Sequence, residues 1–173
     1  RNAVEMLGYE VVGEAINGQE AIELAAELRP DLILMDINLP VLNGLEAAKR
    51  INRCISVPII IVTGYSHLTL IEKAEQVGVY GYLVKPVDED DLRPAIQMGM
   101  HAFQQTQLLE GKLKQVTQKL EDRKYIEKAK GIIQRRRNLD EDNAMRFLQK
   151  RSRDTNMKLA DVAREIIAAD KIL

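Results

Sequence analysis

Four apolar residues in a row, Leu32-Ile33-Leu34-Met35, stand between Asp31 and Asp36, and Asn38-Leu39-Pro40 and Asn43-Gly44 follow. A run this short, apolar at every position, reads as a strand buried on both faces, as strands of parallel sheets are. Open α/β sheets bind their ligands at the carboxyl ends of such strands. Asp36 stands at that end, where a carboxylate can ligate a metal or act as a nucleophile. On this segment alone a capping Asp after a core strand is the plainer reading. The segments around it change the balance.

Arg1 to Leu7 has the pattern of the last turns of an amphipathic helix, stopped by Gly8 in the left-handed cap position. Glu10 to Ala15 is expected as a strand centred on Val11 and Val12. Asn17 with Glu20 three residues on resembles a capping box. It opens a helix whose apolar face is Ala21, Ile22, Leu24, Ala25 and Leu28, ended by Pro30. A helix over Gly44 to Arg53, a β-branched strand over Val57 to Thr63, a helix over about His67 to Val77 and a strand over Gly81 to Val84 complete the alternation. Strand and helix in strict turn imply right-handed crossovers and a parallel sheet.

The 173 residues carry a net charge of −1, but the charge is polarised. Residues 1–111 hold 8 Lys/Arg against 16 Asp/Glu, and residues 112–173 hold 17 against 10. An acidic first part and a basic second part point to two modules with different partners. The single cysteine, Cys54, rules out an internal disulfide framework and fits a reducing, cytoplasmic setting. His67 and His101 are too few and too far apart for a zinc site. No stretch approaches the ~18 consecutive apolar residues of a membrane span.

From Asp88 the pattern becomes helical. Asp88 to Asp91 form an acidic first turn, favourable at a helix N-terminus, and helix is expected through Pro94 to about Arg136. Leu109, Leu113, Val116 and Leu120 follow one another at coiled-coil spacing; an intrachain packing stripe is the competing reading. After Asn138-Leu139-Asp140, two shorter helices present Ala144, Met145, Phe147 and Leu148, then Leu159, Val162, Ala163, Ile166 and Ile167, to a small core. The tail is therefore a three-helix unit.

Three strand ends now carry marked residues: Asp36, Thr63 and Lys85. A parallel sheet brings all three to one edge. A carboxylate, a hydroxyl and an ammonium there suit phosphoryl chemistry, with Asp36 attacking phosphorus, Lys85 neutralising charge and Thr63 donating to a phosphoryl oxygen. Leu34-Met35-Asp36 with Pro40 and Gly44, Thr63-Gly64, and Gly81-Tyr82-Leu83-Val84-Lys85-Pro86 resemble the receiver domain of two-component response regulators, a flavodoxin-like α/β fold, over about residues 1–105. The resemblance implies that Asp36 takes a phosphoryl group from a sensor histidine kinase and that Thr63 and Tyr82 form the switch. It also implies a cis Lys85-Pro86 bond and Mg²⁺ held in part by Asp36 and the main-chain carbonyl of Asn38. Receivers begin with a strand ending in acidic Mg²⁺ ligands, and no such pair precedes Arg1. The expectation is that the natural protein has a further segment of roughly 15–25 residues, a strand, loop and half a helix.

Arg123 to Arg137 holds seven basic residues against one acid. Tyr125, Ile126, Ala129, Ile132 and Ile133 are expected as its buried stripe. Arg123, Lys130 and Arg137 recur at sevens on another face, with Lys128 and Arg135 beside them, a footprint for nucleic acid; a solvated coiled-coil face is the bland alternative. Arg123-x-x-Ile126-x-x-Ala129-Lys130-Gly131-Ile132, Asp140-x-x-x-Ala144 and Leu159-x-x-Val162-Ala163 resemble the ANTAR domain of AmiR/NasR-type antiterminators, and the pairing with a receiver is similar to the ethanolamine-utilisation regulators. The resemblance implies a three-helix module over residues 123–173 that binds hairpin RNA in nascent transcripts, joined through a coiled-coil linker over residues 106–122 that makes a homodimer. Basic side chains, Arg123, Lys128, Lys130, Arg135 and Arg137, would hold phosphates, with Gly131 permitting close approach. A DNA-binding response regulator is the nearest rival, but the basic residues crowd the first tail helix rather than a recognition helix. A hydrolase working through an aspartyl-phosphate would want an acid at position 38, which is Asn. A protein-interaction adaptor, whose basic helix binds no nucleic acid, is a third class.

Overall fold

A computed structural model of the chain describes residues 2–64 and 77–170. The chain divides into two compact units, Arg1–Leu108 and Leu109–Leu173. The expected helix over His67 to Val77 falls, but for Val77, outside the described residues.

In the first unit the element order is α1 (Asn2–Met6), α2 (Gly18–Leu28), β1 (Ile33–Asp36), α3 (Gly44–Cys54), β2 (Ile59–Thr63) and β3 (Gly81–Val84), followed by α4 (Glu89–Arg137), which ends in the second unit. The strands pair in the order β1-β2-β3, both pairs parallel. Met35, Ile59 and Ile61 join Ala25, Ala47, Ala48 and Ile51 of α2 and α3 in one cluster. Ile60 and Leu83 join Leu92 and Ile96 of α4 in another, with Ala3 and Val4 of α1 and Leu7 just after it packed against it. Neighbouring residues of β2 thus serve opposite faces, as the period of a strand requires. Both faces are covered, which is why these strands read as unbroken apolar runs.

Local signals fixed most boundaries. The Asn17 side chain accepts from the Glu20 amide at 2.9 Å, and Glu20 returns a carboxylate to the Ile16 amide at 2.8 Å. This is a capping box displaced by one residue. Gly8 takes φ +84 after α1, and Arg29 closes α2 in the left-handed region before Pro30. The expected strand over Glu10 to Ala15 does not form. Val12 is half-exposed, and among the described residues no strand lies beside this segment. Apolar alternation makes a strand only where a neighbour supplies ladder partners.

The second unit packs the end of α4 against α5 (Glu141–Thr155) and α6 (Leu159–Asp170). Its core is Ala129, Ile132, Ile133, Ala144, Leu148, Val162, Ala163 and Ile167. Asn138 at φ 50 breaks the chain direction, and Asp140 caps α5 through the Asn143 amide at 2.7 Å. Tyr125, expected in the buried stripe, is instead 39% exposed. Its ring lies beneath the Arg164 guanidinium at 4.8 Å, so it is covered by a cation rather than by the core.

One close approach fixes the loop after β1. A Cβ on Gly44 would stand 1.9 Å from the Asp36 carbonyl oxygen, while the Gly44 amide donates to Ile37 at 3.0 Å. Only a residue without a side chain lets α3 start so near the strand end. Gly44→Ala is therefore expected to lower stability by about 1–3 kcal/mol through overpacking, measured as a reduced urea midpoint with an unchanged slope.

Candidate functional site

The register of the sheet assembles the first site. Asp36 pairs with Val62, and Thr63 pairs with Val84. The ladder continues past the strand ends, with Ile37 donating to Val62 at 3.1 Å and Lys85 donating to Thr63 at 2.8 Å. Asp36, Thr63 and Lys85 thus stand at the ends of three successive strands, with β2 in the middle. The Lys85 ammonium bonds Asp36 Oδ2 directly, and the Asn38 amide donates to Asp36 Oδ1 at 3.0 Å. Thr63 is buried, 5% exposed, while Tyr82 is 52% exposed. The Lys85-Pro86 bond is cis, as the resemblance implied. Val41, in the loop after Asp36, holds φ 66 and is 87% exposed; a β-branched side chain seldom adopts that backbone. Nothing in the alternation pattern could have pointed to it.

Burial pushes the Asp36 carboxyl up, but the Lys85 hydrogen bond, the Asn38 amide and the Lys85 charge outweigh it and hold the pKa below its ordinary value. The carboxylate is therefore ionised at neutral pH. Its oxygens suit Mg²⁺, but both already accept hydrogen bonds. Among the described residues no three potential ligating side chains cluster. Asp36 and the main-chain carbonyl of Asn38 are the groups here that would reach such an ion.

The second site lies on α4 and α5. Arg123, Lys128, Arg135 and Arg137 are exposed, as the sequence pattern suggested. Lys130 is not among them. It is 8% exposed, and its ammonium is held by Glu141 at 2.7 Å and by both Glu127 oxygens at 3.2 and 3.0 Å. That is a correction to its reading as a phosphate contact: the recurrence at sevens placed it with Arg123 and Arg137, but the chain folds it into a joint between α4 and α5. The hydrogen bonds that Lys130 donates to Glu141 and then Glu127 raise its pKa against the opposing effect of burial. The same bond lowers the Glu141 carboxyl. Arg136 is likewise engaged, with Asp170 at 2.7 Å. Arg164 bridges Asp122 and Asp161, each at 2.6 Å, and Arg137 stacks over Phe147 at 4.3 Å. Gly131 has nothing within 4 Å of where a Cβ would sit.

No helix among the described residues is long and apolar enough to cross a membrane. Residues 1–97 match the family model of the response regulator receiver domain, and residues 114–167 match that of the ANTAR domain. Over 167 residues, 95% of this chain and 82% of its relative, the chain is 40% identical to the transcriptional regulatory protein PdtaR of Mycobacterium tuberculosis. The signal receiver domain of a modulated diguanylate cyclase from Desulfovibrio desulfuricans G20 superposes with a TM-score of 0.56 at 39% identity, covering 61% of this chain and 85% of that one. The receiver domain of a sensor histidine kinase from Pseudomonas aeruginosa PAO1, which has a magnesium ion coordinated in its active-site cleft, gives a TM-score of 0.52 at 33% identity over 58% of this chain and 84% of that one.

Two titrations check these sites. In Lys85→Met the Asp36 pKa is expected to rise, because two of the three influences holding it down leave with the ammonium; carboxyl-carbon NMR follows it directly. The Lys130 joint is expected to give stability that is fully present above the ordinary Glu141 pKa of 4.5. That stability is lost as pH falls through the lowered folded value. The melting temperatures of wild type and Glu141→Gln should differ at pH 7 and converge in acid; a constant gap would show that the ion pair is not its source.

Proposed function

The chain belongs to the response regulators that join a receiver domain to a C-terminal ANTAR domain, RNA-binding antiterminators, and on that premise we propose that phosphorylation of Asp36 controls the grip of its tail on hairpin RNA in nascent transcripts. It is a transcriptional regulator rather than an enzyme. The receiver implies a cognate sensor histidine kinase. An Asp36 carboxylate oxygen attacks the phosphorus of the kinase's phosphohistidine; a phosphorus–oxygen bond forms, the phosphorus–nitrogen bond breaks, and the imidazole leaves with its electron pair. The Lys85 ammonium, already on Oδ2, shifts to neutralise the charge that arrives. Receiver domains bind Mg²⁺ for phosphorylation; in this chain Asp36 and the Asn38 carbonyl would help to hold it, and the ion would neutralise charge on the phosphoryl group. The Thr63 hydroxyl follows the phosphoryl group, and Tyr82, half-exposed before the event, is the aromatic that changes position with it.

The signal then reaches a dimer. Leu109, Leu113, Val116 and Leu120 are 65%, 67%, 55% and 57% exposed, an aliphatic stripe at coiled-coil spacing with no core of its own. A second copy is the partner that buries it, and pairing two tails suits an RNA with two hairpins. Both a kinase partner and a nascent transcript fit a cytoplasmic protein.

The observation that carries the RNA contact is a single face of α4. Lys128 and Arg135 stand one turn to either side of Gly131, and space over Gly131 is open. A mid-helix glycine weakens a helix by about 1 kcal/mol relative to alanine, and no close approach within the chain calls for it. An RNA backbone drawn to the flanking cations would call for it. Arg123 and Arg137 extend the same grip, and Lys130 supports it from within.

Binding to twin-hairpin RNA, by gel shift with and without acetyl phosphate, tests the reading. A salt-sensitive shift that strengthens on phosphorylation and is lost in the Lys128→Glu/Arg135→Glu double variant supports it. Preference for duplex DNA would move the assignment to the DNA-binding rival. Gly131→Ala is expected to separate stability from function: the melting temperature rises or holds while RNA affinity falls.

A further inference from the structure

Residues of α5 outside the motifs that carry the ANTAR resemblance hold a second concentration of positive charge. Arg146, Lys150, Arg151 and Arg153 lie on it, all exposed. Arg146, Lys150 and Arg153 are spaced four and three apart, so they share one helix face. Two of the neighbouring acids are engaged elsewhere, Glu141 with Lys130 and Asp140 as the helix cap, and Asp154, at pairing spacing from Lys150 and Arg151, forms no ion pair with them among the described residues. Asp142 stands four residues before Arg146, the spacing at which a helical pair would close, yet among the described residues Arg146, Lys150 and Arg151 make no ion pair. Charges left unpaired on a helix whose neighbours pair theirs are available to a polyanion.

An aromatic lies among them. Phe147 packs its inner edge against the small core and carries the Arg137 guanidinium over its ring at 4.3 Å. Lys150 and Arg151 follow Phe147 by three and four residues, one turn along the same side. Arg137 is exposed, with its guanidinium carbon 4.3 Å from the ring centroid. Unpaired RNA bases are held by stacking on aromatic rings and on guanidinium planes, with cations on the flanking phosphates.

From this juxtaposition we infer that α5 forms a second RNA contact, in which an unpaired loop base stacks on Arg137 above Phe147 while Lys150 and Arg151 hold the phosphates beside it. The inference rests on the RNA-binding reading and deepens it. The α4 face takes the backbone, and the Arg137–Phe147 stack selects a loop over a duplex, since a paired base offers no free face. Arg146 widens the basic field without touching the stack.

The test uses the full chain and hairpins selected from a randomised-loop RNA pool for binding to wild type, with a fully paired RNA of equal length for comparison. Lys150→Gln/Arg151→Gln is expected to flatten the slope of log affinity against log salt by about 1.4, two contacts at ~0.7 each. Arg137→Lys keeps the charge but loses the planar guanidinium. It is expected to weaken hairpin binding about tenfold, leaving the salt slope and the weaker duplex binding unchanged. Circular dichroism melting checks that both variants remain folded, and neither removes a core residue. An unchanged slope in the first variant, or an unchanged affinity in the second, overturns the inference while leaving RNA binding by α4 standing. A pool that yields no hairpin bound by wild type overturns both.

Discussion

An ammonium and a carboxylate from strand ends 49 residues apart meet at one edge of the sheet, and the regulatory half of the chain depends on that meeting. Lys85 and Asp36 do not belong to adjacent strands; β2 lies between them. The pair can form only if both parallel ladders hold register, because a slip of one residue would turn the functional side chains to the other face. The two apolar clusters on either side of the sheet enforce that register, since each strand residue has a face to which it must return. Packing in the core thus sets one carboxylate beside an ammonium, and that neighbour favours its ionised form.

In the tail, a different interaction has the corresponding role. Ala129, Leu148 and Val162 give the three helices a small core, of a size that leaves a unit like this marginal by burial alone. Ion pairs supplement it at three corners: Lys130 with Glu127 and Glu141, Arg136 with Asp170, and Arg164 with Asp122 and Asp161. Exposed pairs contribute little each, but at every corner one pair joins two helices, and one of the cations is buried. They orient the helices as well as adding stability.

How much of this was legible in the sequence follows from the range of each interaction. Caps at Asn17 and Asp140, the ends marked by Gly8 and Pro30, and the three paired strands all rest on residues within a few positions of one another, and local pattern found them. Asp36, Thr63 and Lys85 were legible because the topology of alternating strands and helices fixes where strand ends fall. Glu10 to Ala15 was misread as a strand because pairing depends on a neighbour that alternation cannot supply. Tyr125 and Lys130 were misread because their partners, Arg164 and Glu141, lie 39 and 11 positions further on. A helical wheel sees one helix, and both residues answer to a second.

That limit bears most heavily on charge. The basic run from Arg123 to Arg137 looks uniform as sequence, yet its members divide by what the folded tail does with them. Lys130 and Arg136 are neutralised within the chain, and Arg137 is stacked, while Lys128 and Arg135 stay open beside Gly131. Helix α5 shows the reverse: its cations are interspersed with acids and attract no notice in a count, but Glu141 is taken by Lys130 and Asp140 by the cap, and Arg146, Lys150 and Arg151 form no ion pair among the described residues. The field a polyanion meets is set by the charges that folding leaves unpaired, not by the number written in the chain. Pairing is decided between helices, so the nucleic-acid face of this module is a tertiary property. Its most basic segment is partly structural, and a segment of near-neutral balance is where further contacts are left.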